Sequence, residues 1–132
     1  MKVISLSLFC LCFLSVSFAQ KTVKIRKENT QLYKGIESQI NNWYIYKKEN
    51  AFYLCPLNIP KEEVVNWFEK RVNSQNIYKG LLSEQQYAIL SFRKDNDPTD
   101  VINFYYKQVK HNLELVSSVD GNKYTFRPIF QE

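Results

Sequence analysis

Few side chains in this sequence are of the types that form or break covalent bonds. His111 is its only histidine, and beyond the first twelve residues Cys55 is its only cysteine. A Cys–His pair would need these two side by side, with the thiolate in an electropositive setting. Cys55 instead lies in the apolar run Phe52-Tyr53-Leu54-Cys55 and is followed by Pro56, which favours a buried, inert thiol over the alternative of a disulfide between chains. His111 follows Lys110 at the end of a helix-like stretch, where an imidazolium favours the negative end of the helix dipole. No Gly-x-Ser-x-Gly elbow is present. The sequence therefore advertises no catalytic residue, and an enzyme would need a site it does not announce.

Metal and phosphate chemistry fare no better. One cysteine and one histidine do not make a zinc site without carboxylates. The acidic stretch Asp95-Asn96-Asp97-Pro98-Thr99-Asp100 lacks the glycine and the bidentate glutamate of a calcium loop, and reads as a helix N-terminus. The glycines Gly35, Gly80 and Gly121 are too far apart to cradle a phosphate. No metal and no cofactor are expected. No run matches the aromatic pattern of RNA-binding sheets, so nucleic acid is not an expected partner.

Recognition of another protein remains. Aromatic residues make up 15% of the chain, with nine tyrosines and two tryptophans, and tyrosine combines a large contact area with a polar tip. Trp43–Lys48 and Ala51–Pro56 read as strands joined by the two-residue turn Glu49-Asn50. That register puts Trp43, Ile45, Phe52 and Leu54 on one face, read as core, and Tyr44, Tyr46, Tyr53 and Cys55 on the other. Tyr44, Tyr46 and Tyr53 are the candidate partner-binding residues, unless residues 30–42 cover them. That segment carries Leu32, Ile36, Ile40 and Trp43 at helical spacing and reads as a short helix or a strand.

Two further helices would position these faces. One spans 61–74, opened by Pro60, with Glu62 and Glu63 in its first turn and a stripe of Val65, Phe68 and Val72. The other spans 98–111, with Asp97 as N-cap, Pro98 first in the helix, and a stripe of Val101, Ile102, Tyr105 and Val109. Val64, Asn66, Lys70 and Val72 recur at an offset of 37 as Val101, Asn103, Lys107 and Val109, which suggests a repeat. Strand-like runs flank both (Ala51–Leu57, Ile77–Leu82, Gln86–Lys94, Leu113–Val119). This order is similar in topology to the split βαβ pattern of ferredoxin-like domains. A final hairpin pairs Leu113–Val119 with Lys123–Phe130 around Gly121, and Pro128 marks an edge or a strand end. The expected fold is α+β: a mainly antiparallel sheet with two helices on one face, a ferredoxin-like βαββαβ core, an N-terminal hairpin strand and an extra C-terminal strand.

The N-terminus predicts export. Lys2 precedes the apolar run Val3–Val16, which is shorter than the ~20 residues of a membrane-spanning helix. Ser17-Phe18-Ala19 places small residues for cleavage between Ala19 and Gln20. Residues 1–19 read as a signal peptide and 20–132 as one exported domain with a flexible, basic start at 20–30. Loss of Lys2 from the 18 basic residues lowers the net charge from +5 to +4, and loss of Cys10 and Cys12 rules out an internal disulfide. No Asn-x-Ser/Thr site occurs, which fits a bacterial periplasmic or extracellular protein. It would meet the membrane only during export. The leading expectation is a small non-enzymatic protein that binds a protein partner in the cell envelope or outside the cell, as an accessory, inhibitor or toxin-neutralising module. The alternative is a carrier of a small apolar ligand between sheet and helices, lined by Trp67, Phe104 and Tyr105. An uncharacterised enzyme stands third.

Overall fold

The computed structural model describes residues 29–84 and 86–129. The expected signal peptide, its Ala19–Gln20 cleavage point and the basic stretch from Lys21 to Lys27 lie outside the described residues. Within them, eight antiparallel strands close into a barrel: β1 (Thr30–Gly35), β2 (Trp43–Lys48), β3 (Ala51–Pro56), β4 (Tyr78–Glu84), β5 (Ala88–Lys94), β6 (Asp97–Val109), β7 (Asn112–Ser117) and β8 (Lys123–Ile129). Each strand pairs with its sequence neighbours, and β1 meets β8 from Leu32 opposite Ile129 to Gly35 opposite Phe126. Such an up-and-down order needs only local connections, and closure removes the exposed edges of an open sheet. One short helix, α1 (Val64–Glu69), lies in the β3–β4 connection behind a 3-10 turn at Lys61–Glu63.

The α+β, ferredoxin-like expectation is therefore overturned. The segment expected as a helix over 98–111 is instead β6, the longest strand, and its burial alternates residue by residue as Ile102, Phe104 and Tyr106 point inward. Its β-branched and aromatic side chains suit a pleated surface, and β5 offers Leu90 and Phe92 opposite Phe104 and Ile102. Asp97 and Pro98 start this strand rather than cap a helix. Between the pairs Arg93–Val101 and Lys94–Asp97 the register shifts, so Pro98 falls where the ladder is interrupted and its missing N–H costs no ladder bond. The suspected repeat dissolves, because Val64–Val72 contains α1 and Val101–Val109 lies within β6. The first helix is also shorter than expected, and 30–42 resolves into β1 and a 3-10 turn at Ser38–Ile40.

The two hairpins read from sequence stand. Lys48 faces Ala51 across the Glu49-Asn50 turn, and Glu49 takes a positive φ of 57°. Gly121, with φ 75°, sits in the β7–β8 connection, where left-handed backbone favours glycine. Pro128 lies one residue from the end of β8.

Apolar side chains divide between the two sides of the barrel wall. Inside, Tyr33, Ile45, Phe52, Leu54, Leu90 and Phe92 pack with Leu113, Leu115 and Phe126. Outside β1–β3, Leu32, Tyr44 and Tyr46 pack beneath Val64 and Phe68 of α1. Tyr46 and Phe68 stack with ring centroids 5.6 Å apart, and Tyr46 donates a hydrogen bond to the Glu69 carboxylate. Gly80 keeps the interior close-packed, since a Cβ there would come within 2.6 Å of the Phe92 ring.

Candidate functional site

Strand direction gives the barrel two unlike ends. The upper end carries the connections after β1, β3, β5 and β7, long except for the two-residue turn Asp95-Asn96 after β5, and the lower end carries the short turns after β2, β4 and β6. At the upper end the inward faces do not fill the space between them. A cleft of about 210 Å³ opens among Ile40, Trp43, Ile102, Phe104 and Tyr124, with Leu54, Leu115 and Phe126 as its remaining walls. Ile40 comes from the 3-10 turn after β1, and Trp43 opens β2. Gly35 lets that turn approach closely, because a Cβ would land on the Ile40 carbonyl and side chain. Among the described residues no charged side chain lines the cleft. Phe104 stands edge-on to both Phe92 (6.0 Å) and Tyr124 (6.4 Å), which holds the aromatic wall in place.

The lower cleft is of the opposite character. It measures about 580 Å³ and is lined by Lys47, Asn50, Glu84, Tyr106 and Gln108 around Phe52. Burial, and then the Glu84 charge, push the Tyr106 hydroxyl above its ordinary range. Lys47 and Glu84, its charged lining residues, carry opposite signs.

The candidate partner-binding tyrosines occupy neither cleft. Tyr44 and Tyr46 are 4% and 1% exposed beneath α1, and Tyr53 is half-buried beside them. The segment covering them is thus α1, not residues 30–42. Burial first, and then the bond to Glu69, push the Tyr46 hydroxyl far above its usual range, and Lys48 Nζ meets the same carboxylate at 3.1 Å. Cys55 is half-buried on this outer face, and burial pushes its thiol up. His111 is exposed in the β6–β7 turn, so its expected role at a helix end falls with the helix. Cys55 belongs to the upper end and His111 to the lower, and the fold keeps them apart.

Of the expected carrier lining, only Phe104 faces the upper cleft. Trp67 lies on α1 outside the barrel, and Tyr105 points outward on β6. The sequence reading missed Trp43, Ile40 and Tyr124 as pocket residues. Trp43 was assigned to the inner face, but only closure of β8 on β1 brings Tyr124 across from it. The acidic stretch forms the two-residue β5–β6 turn and the start of β6, where Asp95 pairs with Lys79 at 3.0 Å and Asp100 accepts from the Tyr78 hydroxyl at 2.7 Å. Among the described residues no three His, Cys, Asp or Glu side chains gather as a metal site. No protein-family model, no curated protein and no solved structure matches this chain.

Proposed function

We propose that this chain is an exported, non-enzymatic binding protein whose upper barrel mouth takes a small, uncharged apolar molecule. The observation that carries this reading is the apolar cleft framed by Trp43, Phe104 and Tyr124. Eight-stranded barrels are wide enough to hold one small ligand when their side chains leave a gap. At about 210 Å³ the cleft is below the roughly 300 Å³ at which drug-sized pockets begin, and above the ~150 Å³ cavity that accepts benzene. A monocyclic aromatic or a short aliphatic alcohol fits that range. A carboxylate would be stripped of water here without a cationic partner, at a cost of several kcal/mol.

Thermal shift and tryptophan emission against a panel of indole, toluene, short alcohols and their carboxylate analogues test this. Neutral members are expected to raise the melting temperature and shift Trp43 emission, whereas the carboxylates do neither. Trp43→Ala is expected to weaken binding at least ~10-fold, and Trp67→Phe to leave it unchanged. A panel with no stabilising member, or binding that survives Trp43→Ala, sinks the reading.

A further inference from the structure

Inward positions of a small barrel are ordinarily filled by apolar side chains, and along most of this wall they are. At the lower end the pattern changes. Strand alternation puts Lys47 on the same face as Ile45, Glu84 on that of Leu82, and Gln108 on that of Phe104 and Tyr106. With Asn50 of the β2–β3 turn they line the lower cleft of about 580 Å³, inside the ~300–1,000 Å³ range of small-ligand pockets. Lys47 and Tyr106 are half-buried there, while Asn50, Glu84 and Gln108 stand open at the rim, where a ligand can reach them.

A polar group turned toward an interior costs free energy unless it finds a partner. Lys47 and Glu84 enter no ion pair among the described residues, and the Asn50 and Gln108 amides and the Tyr106 hydroxyl make no hydrogen bond there. Lys47 Nζ lies 5.9 Å from the centroid of the buried Phe52 ring, and the Tyr106 ring stands edge-on to that ring at 6.0 Å. The cation and the phenol thus flank one ring at the base of the cleft.

The kinds of group and their placing say what would satisfy them. Lys47 only donates, Glu84 only accepts, and the two amides do both. The Tyr106 hydroxyl, pushed up by burial and then by the Glu84 charge, stays protonated and can donate. β3 stands between the strand of Lys47 and that of Glu84, so the two charges enter the cleft from strands ~10 Å apart. A ligand of one sign would pair with one of them and be set against the other. A neutral sugar would leave both uncompensated. A molecule with an ammonium at one end, a carboxylate at the other and amides between answers every group. At up to ~3.5 Å per residue, two or three residues of extended chain reach across that distance.

We propose that the lower barrel mouth binds a short peptide of about two or three residues with both ends free. Glu84 takes its ammonium, Lys47 its carboxylate, and Asn50 and Gln108 its peptide groups. No residue lines both clefts, so this site stands or falls apart from the apolar one.

Calorimetric titration of the full chain with dialanine and trialanine, each also in N-acetylated and C-amidated form, tests the proposal. The free peptides are expected to bind, more weakly as salt rises, and each cap to cost at least ~10-fold in affinity. Glu84→Gln is expected to erase the penalty of acetylation and Lys47→Gln that of amidation, each leaving the other penalty in place. Unchanged melting temperatures verify that the variants fold, and the capping comparison on the unaltered chain stands without them. Absence of binding by both free peptides at millimolar concentration, or capped peptides that bind as well as free ones, overturns the proposal. So do capping penalties that persist in both variants, or tighter binding of maltose than of trialanine.

Discussion

Phe68→Ala is the sharpest test of how the outer face is built. Phe68 is 0% exposed, stacks on Tyr46 at 5.6 Å and 20°, and meets the Trp67 ring edge-on at 5.3 Å. Truncating a buried phenylalanine costs about 3–5 kcal/mol through lost transfer energy and the cavity left behind. α1 has only six residues and no side-chain N-cap bond, and so short a helix has little stability of its own. Its attachment rests on Val64, Phe68 and the Glu69 bonds to Tyr46 and Lys48. For a domain of this size each kcal/mol moves Tm by roughly 4–8 °C, so a loss of about 3 kcal/mol lowers Tm by roughly 12–24 °C. Urea and thermal melts followed by circular dichroism give this value. Trp67 emission should shift red in the native baseline if α1 lifts from the wall. A fall in Tm below about 4 °C, with Trp67 emission unmoved, would refute the argument that this aromatic stack anchors the helix.

Three further outcomes follow from local geometry. Gly80→Ala is expected to destabilise by about 1–3 kcal/mol, because its Cβ meets the buried Phe92 ring, and unchanged urea midpoints would contradict that contact. The Tyr78 hydroxyl is pushed up to about 12 from 10.0 by burial first, then by its bond to Asp100 and the charges of Asp100 and Asp97. Tyr44, Tyr46 and Tyr106 shift the same way. A folded pKa above the unfolded one gives stability that is intact below pH 10.0 and lost as pH rises through about 12. Absorbance titration should therefore show late tyrosine ionisation coupled to unfolding, with Tyr78→Phe removing part of the pH dependence. Ionisation of all nine tyrosines near 10 in a still-folded chain would sink it. Cys55, half-buried with its thiol pushed up, is expected to react slowly with a disulfide reagent at neutral pH and rapidly in urea. Equal rates in both conditions would show it is exposed.

What was legible in the sequence was local. The Glu49-Asn50 turn has only one compact register, and that register alone assigned Ile45, Phe52 and Leu54 to the core. Gly121 likewise marked its turn by the one backbone conformation it allows at low cost. The scarcity of reactive side chains is equally plain in the sequence, which holds one histidine and, beyond residue 12, one cysteine.

The segment 101–109 shows where such reading stops. Val101, Ile102, Tyr105 and Val109 form a helical stripe, while Ile102, Phe104 and Tyr106 form a strand face, and both patterns coexist in one string. The density of β-branched and aromatic residues was the available signal for a strand, but partners decided it: β5 on one side and β7 on the other supply hydrogen bonds and apolar neighbours. Tyr44 and Tyr46 looked exposed because their tips are polar. They are buried because α1 crosses their face and Glu69 accepts from Tyr46. The upper cleft depends on closure in the same way, since Trp43 and Tyr124 share it only once β8 pairs with β1. Turn chemistry and residue type act over a few residues and can be read from them. Barrel closure, the choice of covered face and the cleft depend on contacts between residues distant in the chain, which no local pattern specifies.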